Sequence, residues 1–207
     1  FEKITGKRRG SIPEAGGTYC LLTEGDQLIS GPNNQKAKDQ VLRVADGDNR
    51  SHLLSFQGTN RMLVNKRFAY LHQGENLTAL DRVPYVALQN EKRQLLSKQA
   101  KIGKQLKSRK NDEALKAQHA EIGKRVKEIT SLLPRFFKWK IQCVHPIGFA
   151  MGGNTLYVGG DGIVLAYDAS NGEKKWSAKI AGKGYGLVIS NGRLLVSTDK
   201  GYIHCFQ

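Results

Sequence analysis

Residues 149–168 of this 207-residue chain read FAMGGNTLYVGGDGIVLAYD, and residues 187–207 repeat the same pattern as LVISNGRLLVSTDKGYIHCFQ. Val158 aligns with Val196 at a step of 38 residues, and after one gap Tyr167 aligns with Phe206. Residues 62–81 align with residues 149–168 without a gap, at a step of 87. The step of 87 residues is longer than the regular step of 38 by about 49 residues, which predicts an insertion of that length. A period near 40 residues is typical of propellers, solenoids and arrays.

Within one unit the apolar residues alternate with other residues, first at Leu156 and Val158 and then from Ile163 to Tyr167. Glycines and an aspartate at residues 159–162 separate the two runs. Such alternation predicts antiparallel strands joined by tight turns. A polar turn and a fourth strand follow, and four short strands in about 40 residues are typical of a propeller blade. We therefore expect a mainly β fold, a partial propeller of about four four-stranded antiparallel blades.

One unit carries a specific motif. Ala166, Asp168, Gly172 and Trp176 follow the spacing Ala-x-Asp-x-x-x-Gly-x-x-x-Trp, and Trp139 lies 37 residues before Trp176. This spacing resembles the blade motif of the quinoprotein-like, or PQQ-repeat, β-propellers. The resemblance implies that the tryptophan of each blade docks against a neighbouring blade, so these five residues are the expected blade-docking residues.

The other copies of the motif are degenerate. Ala79 and Asp81 are separated from Trp139 by the insertion, and residues 1–7 match the middle of the motif but have no tryptophan. A further unit extends from residue 19 to residue 56. Phe1 and Phe206 both align with Tyr167, so one blade is open at both ends of the sequence. It could close by pairing of the first and last segments, or by continuing into further blades of a longer protein, and we favour a fragment of a longer protein.

Between Asp81 and Trp139 the apolar period changes from two residues to seven. The repeated positions are Leu88, Leu95, Ile102, Leu106, Leu115, Ile122 and Ile129. This spacing predicts an antiparallel coiled-coil hairpin of two helices with its turn near Asn111. The predicted organisation is therefore a first set of blades at residues 1–84, a helical hairpin at 85–134 and a second set of blades at 135–207. We interpret residues 182–186, GKGYG, as a linker between two blades.

The chain is strongly basic, with 33 Lys and Arg against 18 Asp and Glu and a formal net charge of +15. Residues 88–133 contain twelve basic and five acidic residues, a net +7. A basic cluster lies near the predicted tip of the hairpin, at Lys104, Lys107, Arg109 and Lys110. This cluster could bind an acidic protein surface, anionic lipid or nucleic acid, or it could be a solvated face. Because residues 88–133 contain no aromatic side chain for base stacking, nucleic acid is the weaker expectation.

If the chain followed the catalytic members of the quinoprotein-like family, the resemblance would imply pyrroloquinoline quinone (PQQ), a Ca²⁺ site, an aspartate base and often an adjacent cysteine pair. Cys20, Cys143 and Cys205 are not adjacent, and they do not predict a disulfide. The five histidines show no metal-binding spacing. We therefore expect no cofactor and a non-catalytic scaffold, resembling the BamB-like propellers of bacterial outer-membrane assembly, whose partners are other proteins and the remaining blades.

The alternative is part of a PQQ- and Ca²⁺-dependent dehydrogenase whose site is completed by missing blades. The resemblance alone favours the periplasm or cell envelope. The sequence contains no apolar run long enough to span a membrane.

Overall fold

The computed structural model describes residues 2, 4–8, 10–12, 16–17, 19–23, 27–31, 40–48, 50–145 and 147–207. Within these residues the protein is mainly β, with antiparallel strands in three sheets and two α-helices. The first two sheets have four strands each, which follow one another in chain order. The third sheet has six strands, also in sequential order.

The strand bounds follow the predicted alternation. The first sheet contains β1 (Tyr19–Leu22), β2 (Gln27–Gly31), β3 (Val41–Asp46) and β4 (His52–Gln57). The second contains β5 (Thr59–Val64), β6 (Phe68–Gln73), β7 (Asn76–Asp81) and β8 (Phe137–Gln142). The third contains β9 (Gly148–Gly152), β10 (Thr155–Gly159), β11 (Asp161–Asp168), β12 (Lys174–Ser190), β13 (Arg193–Thr198) and β14 (Ile203–Phe206).

The same irregularity recurs where a third strand pairs with a fourth. In each case one residue of the fourth strand has no partner and forms a β-bulge, and these residues are Leu53, Lys138 and Lys175. The pair beside each bulge is Val44 with Leu54, Ala79 with Trp139, and Ala166 with Trp176. A bulge bends the strand and redirects a side chain. Three repeats therefore build the same local structure, although the first has leucine where the others have tryptophan.

The interpretation of residues 182–186 as a linker is wrong, because β12 is one strand of 17 residues that passes through them. Its first part pairs with β11 and its second part with β13, with a register shift between Gly184 and Gly186. The glycines allow close backbone contact, since a Cβ on Gly159 would collide with the carbonyl oxygen of Gly184. The structure therefore has three sheets where the sequence predicted about four separate blades.

Apolar side chains fill the spaces between the sheets. The first cluster joins the first two sheets and includes Leu54, Phe56 and Leu80. The second joins the second and third sheets and includes Tyr70, Leu77 and Leu156. A third cluster lies within β11–β14. The apolar clusters therefore connect the first sheet to the second and the second sheet to the third.

The insertion lies between β7 and β8. The corresponding strands of the first sheet (β3 and β4) and of the third sheet (β11 and β12) are each separated by only five residues. The insertion contains α1 (Arg82–Ser108), α2 (Glu113–Leu132) and a 3₁₀ turn (Leu133–Phe136). α1 begins three residues before the predicted boundary because β7 passes into it directly. Neither helix is long and apolar enough to cross a membrane, a finding that covers the described residues.

The two helices lie antiparallel. Arg125 of α2 donates from Nε to Oε1 of Glu91 at 2.8 Å, and Gln99 donates to the carbonyl oxygen of His119 at 3.3 Å. The turn between the helices ends at Asp112, whose side chain accepts a hydrogen bond from the Leu115 amide at 3.0 Å. This is an N-cap, which satisfies one of the free amides at the helix start.

A buried carboxylate marks the entry to the insertion. Asp81, the last residue of β7, accepts from Arg67 Nη2 at 2.9 Å and Nε at 3.3 Å. The ammonium of Lys138, the bulge residue of β8, lies 3.6 Å from Asp81 Oδ2. The hydrogen bond from Arg67 is the main cause that lowers the pKa of Asp81. Arg82 then donates to Gln27 at 2.7 Å and ties the base of α1 to the first sheet.

The helix glycines provide a test of how closely the helices pack. A Cβ on Gly103 would have His119 Nε2 at 3.8 Å, whereas a Cβ on Gly123 would have Gln99 Nε2 at 3.0 Å. Alanine is favoured over glycine inside a helix by about 0.8–1.0 kcal/mol. We expect Gly103→Ala to raise the free energy of unfolding by about 0.5–1 kcal/mol and Gly123→Ala to gain less, because Gln99 must move. Urea denaturation followed by circular dichroism measures both, and equal gains would contradict the described packing.

Asp81 should make stability depend on acid. Because its pKa is lowered in the folded state, protonation favours the unfolded state, and the contribution present at neutral pH is lost as pH falls below the ordinary value of 3.8. Asp81→Asn should therefore be less stable than the parent at neutral pH, with a difference that shrinks in acid. Urea midpoints over a pH series measure it, and Asp48→Asn controls for loss of one carboxylate. A difference that is constant with pH would exclude this role.

Candidate functional site

Trp139 packs on the turn that follows β11. A Cβ on Gly172 would lie 2.9 Å from Trp139 Cε3, so only glycine leaves room for the indole. The indole Nε1 donates to the carbonyl oxygen of Ala169 at 3.1 Å. Gly172 has a φ of +78°, in the left-handed region that glycine adopts without strain. We call residues 168–173 the docking turn, and it joins the second sheet to the third.

Asp168 gives the docking turn its shape. Its Oδ1 accepts hydrogen bonds from the Ser170 amide at 2.8 Å and from Asn154 Nδ2 at 2.9 Å, and Lys175 Nζ lies 3.0 Å from Oδ2. The Gly172 amide donates to the Asp168 carbonyl oxygen at 2.8 Å and closes the turn. The hydrogen bonds from Ser170, followed by that from Lys175, hold the pKa of Asp168 well below its usual range.

The remaining predicted docking residues lie across the neighbouring strand pair. Ala166 is fully buried and stands opposite Trp176 in the β11–β12 ladder. Trp176 is half-buried, with its ring centroid 6.2 Å from that of Tyr157 and 5.6 Å from that of Phe206. The structure therefore gathers Trp139, Asp168 and Gly172 at one turn and places Ala166 and Trp176 on the strands behind it.

Sequence reasoning missed the partners of the two repeated aspartates. Asn154 and Lys175 contact Asp168, while Arg67 and Lys138 contact Asp81. The signal was present, because the step of 87 residues places Arg67 on Asn154 and a lysine precedes each tryptophan. It was not recognised because the bulge that turns each lysine toward its aspartate cannot be read from alternation.

The basic cluster lies at the turn between the helices. Lys104, Lys107, Arg109 and Lys110 are all exposed. Residues 107–112 line an open depression of about 600 Å³, so three of the four cations share one surface. Lys104 lies one helical turn further back on α1. Asp112 faces the same depression, but its side chain caps α2.

Metal-binding side chains are not gathered in the part of the chain that the structure describes, where no three His, Cys, Asp or Glu residues form a group able to hold an ion. The three cysteines are free, with Cys143 buried and Cys20 and Cys205 exposed.

Comparisons with known proteins give the fold. No family model matches the chain, and no curated protein matches its sequence. Among solved structures, the computationally designed Ika4 protein is similar at a TM-score of 0.54 and 9% identity, covering 97% of this chain and 93% of Ika4.

BamB from Moraxella catarrhalis is similar at a TM-score of 0.52 and 12% identity, covering 92% of this chain, which spans 42% of the BamB chain. Hsv2 from Kluyveromyces lactis is similar only at a TM-score of 0.40 and 8% identity, and the match covers 90% of this chain and 60% of the Hsv2 chain. At these identities the likeness is one of fold alone, and it supports a propeller-type fold.

Proposed function

We propose that this protein is a non-catalytic protein-interaction scaffold, in which propeller blades of the quinoprotein-like type carry the α1–α2 pair as a projecting basic arm. The observation that carries the proposal is the contrast between the two ends of the arm. Its base is packed into the apolar cluster between the first two sheets, whereas its far end presents exposed cations. A fixed base and a charged, exposed end are the properties that a recognition arm needs.

The base of the arm is held by aromatic packing. The Tyr85 ring lies 6.1 Å from that of Phe56 in a stacked arrangement and 5.6 Å from that of Phe137 in an edge arrangement. Val86 is buried in the first apolar cluster. Aromatic pairs in such geometries contribute about 0.5–1.5 kcal/mol beyond area burial. These contacts support an arm whose direction from the body is fixed.

We infer that the arm is a coiled coil. Along α1, residues 88, 92, 95, 99, 102 and 106 are buried or half-buried, and they are spaced alternately by four and three residues. Along α2 and into the 3₁₀ turn, the same holds for residues 115, 119, 122, 126, 129 and 133. This spacing is the heptad seam of a coiled coil. α1 has 27 residues, which at 1.5 Å per residue extend about 40 Å. The seam accounts for every apolar position that the sequence pattern singled out.

We also infer that the sheets comprise four blades. In this division β12 contributes twice, since its first part completes the blade of β9–β11 and its second part begins a blade with β13 and β14. Two observations support this division into four blades. The same bulge recurs in three repeats. β9 also contacts both β5 and β12, as expected because the first strands of neighbouring blades converge in a propeller. The packing of Trp139 on the docking turn supports the quinoprotein-like type.

An acidic protein surface is the partner chemistry that the tip favours. The exposed cations of residues 104–110 attract any anionic surface over roughly one Debye length, about 8–10 Å. No aromatic side chain stands among residues 88–133 to stack on bases, so a protein is favoured over single-stranded nucleic acid.

The alternative function is part of a PQQ- and Ca²⁺-dependent dehydrogenase. Among the described residues, no three His, Cys, Asp or Glu side chains form a group able to hold an ion. Adding PQQ with Ca²⁺ and measuring dye reduction by alcohols or sugars tests it, and reduction that depends on both additions would replace the scaffold proposal.

Reversing the charge of the tip tests the scaffold. Lys104, Lys107, Arg109 and Lys110 are changed together to Glu, and affinity for poly-glutamate, as a model acidic surface, is measured by titration together with affinity capture from cell extract. We expect affinity to fall on the order of tenfold or more, because attraction becomes repulsion. The binding of the parent should also weaken with rising salt.

A matched control changes the same number of charges on the sheets, at Lys140, Lys174, Lys179 and Arg193, all exposed. This variant should keep its partners if the tip is the binding surface. Equal losses in both variants would show non-specific attraction, and unchanged capture by the tip variant would remove the arm from the proposal.

Two glycines test whether Trp139 docking joins the blades. Gly172 and Gly153 both have positive φ, at +78° and +58°, but only a Cβ on Gly172 would meet Trp139, whereas nothing lies within 4 Å of a Cβ on Gly153. Alanine should cost roughly 1–2 kcal/mol of backbone strain at either site, and Gly172→Ala should cost a further 1–3 kcal/mol or so from overpacking. Urea denaturation followed by tryptophan fluorescence measures both, and equal losses would count against docking.

A further inference from the structure

Arg82, the first residue of α1, is a buried cation with only 7% of its surface exposed. Its Nη1 donates to Gln27 Oε1 at 2.7 Å and its Nη2 to the carbonyl oxygen of Asn65 at 3.4 Å, and both acceptors are neutral. Within the described residues the buried Nε has no hydrogen-bond partner. Because a guanidinium has five N–H donors, part of its binding capacity is unused.

The charge of Arg82 is not balanced by a neighbouring acid. Burial lowers the pKa of its guanidinium, and in the described part of the chain no carboxylate raises that pKa again. An ionised group that is buried without an opposite charge is destabilising, because it loses its hydration without a Coulombic gain. A buried cation of this kind beside a cavity therefore marks a candidate ligand site.

Two other arginines show how a guanidinium of this protein holds a carboxylate. Arg67 donates from Nε and Nη2 to the two carboxylate oxygens of Asp81, at 3.3 and 2.9 Å. Arg125 uses the same two nitrogens on Glu91, at 2.8 and 3.2 Å. In Arg82 this edge makes only one long hydrogen bond, from Nη2 to a backbone carbonyl oxygen. The edge that binds an acid in the other two arginines therefore holds no anion in Arg82.

Arg82 lines an open cavity of about 370 Å³ formed by the end of β1, the end of β5 and the start of α1. Leu21, Leu22 and Val64 provide apolar walls, and the exposed Lys66 provides a second cation. Among the described residues that line this cavity, none is acidic. Small-molecule sites are commonly cavities of about 300–1,000 Å³ with apolar walls and a few polar groups.

A second cavity, of about 360 Å³, also has Arg82 and Lys66 in its lining. It differs from the first because Asp46 lines it too, with a carboxylate that accepts from the Asp48 amide at 2.9 Å. A carboxylate repels a second anion. The first cavity is therefore the better place for an anionic ligand.

We propose that the first cavity binds a carboxylate carried by a short apolar chain. Arg82 holds the carboxylate, Lys66 adds attraction, and Leu21, Leu22 and Val64 cover the apolar chain. The carboxylate takes the Nη2 edge of the guanidinium and replaces the long bond to the backbone, because charge-assisted hydrogen bonds are stronger than neutral ones and the planar guanidinium matches a carboxylate. This inference goes beyond the proposed scaffold and does not depend on the tip of the arm or on the number of blades.

Calorimetric titration with hexanoate tests the site. Hexanoate combines a carboxylate with a short apolar chain, so we expect saturable binding of one molecule per chain. 1-Hexanol lacks the charge and acetate lacks the apolar chain, and each should bind on the order of tenfold more weakly or less. Absence of saturable binding overturns the proposal. Inorganic phosphate that binds as tightly as hexanoate overturns it too, because it would show general attraction of anions.

Two substitutions connect this binding to the two cations. Arg82→Lys keeps a charge but loses the planar guanidinium, and it should weaken hexanoate binding on the order of tenfold. Lys66→Gln removes an exposed charge and should weaken it several-fold. The control Lys127→Gln removes an exposed lysine of α2 that does not line the cavity, and it should bind as the parent does. If Arg82→Lys does not fold, Lys66→Gln decides, and binding equal to that of the control overturns the proposal.

A signal from the guanidinium itself locates the ligand without any substitution. The Nε–H groups of the arginines are followed by NMR during the hexanoate titration. The Arg82 signal should shift and reach saturation at the affinity that calorimetry gives. The Arg67 and Arg125 signals should not move, because these groups already donate to Asp81 and Glu91. Binding without a shift of the Arg82 signal would place the ligand elsewhere and overturn the proposal.

Two sources of such a carboxylate, a small free acid and the C-terminus of a peptide, are distinguished by a parallel titration with N-acetyl-alanyl-leucine. The compound that binds more tightly identifies the source, and either result supports a carboxylate site.

The chain itself also contains acids near this point in the sequence, since Glu24 and Asp26 follow β1 and lie outside the described residues. The double variant Glu24→Gln with Asp26→Asn should bind hexanoate as the parent does. Binding tighter by on the order of tenfold would show that a carboxylate of the chain competes for Arg82, and it would overturn the proposal of an added ligand.

Discussion

The packing of the Trp139 indole on Gly172 is the contact on which the arrangement of the sheets depends. It needs a residue without a Cβ at the centre of the turn, because Trp139 Cε3 would lie 2.9 Å from one. It needs Asp168 to hold the turn closed, and it needs the bulge at Lys138, beside which the indole stands in the ladder. A local turn, a local strand defect and one large side chain thus combine to fix how two sheets meet.

The insertion changes this arrangement on the other side of the second sheet. In the third sheet Asp168 shapes a short turn, but at the equivalent position Asp81 leads into α1 and receives Arg67 and Lys138 instead. The first sheet presents Leu54 where the others present tryptophan, and Phe56 stacks on Tyr85 at the base of α1. The helix base therefore lies against the first sheet where a docking turn would otherwise stand, so the arm is part of the packing between sheets and not a loop added to their surface.

This placement links the structure to the proposed function. Charge at the tip cannot be part of a packed core, and the aromatic rings that pack on one another at the base cannot be part of a freely moving loop. In the proposed scaffold, the separation of the two along α1 gives the body and the arm different roles, since the sheets set the position of the arm and the tip is the proposed partner-binding surface.

The sequence by itself determined the local structure of most of the described chain. Alternation with period two gives the strands, heptad spacing gives the two helices, and glycine at positions such as 153 and 172 gives turns with positive φ. The resemblance to the blade motif of quinoprotein-like propellers singled out Asp168, Gly172, Trp139 and Trp176 as the expected docking residues. The tertiary structure decided which segments approach one another. The continuity of β12 through residues 182–186 depends on close backbone contacts between segments distant in sequence, and the contacts of Arg67 and Asn154 with their aspartates depend on hydrogen bonds across a turn. Periodicity records which face of a strand a side chain occupies, but it does not record which backbone lies beside it.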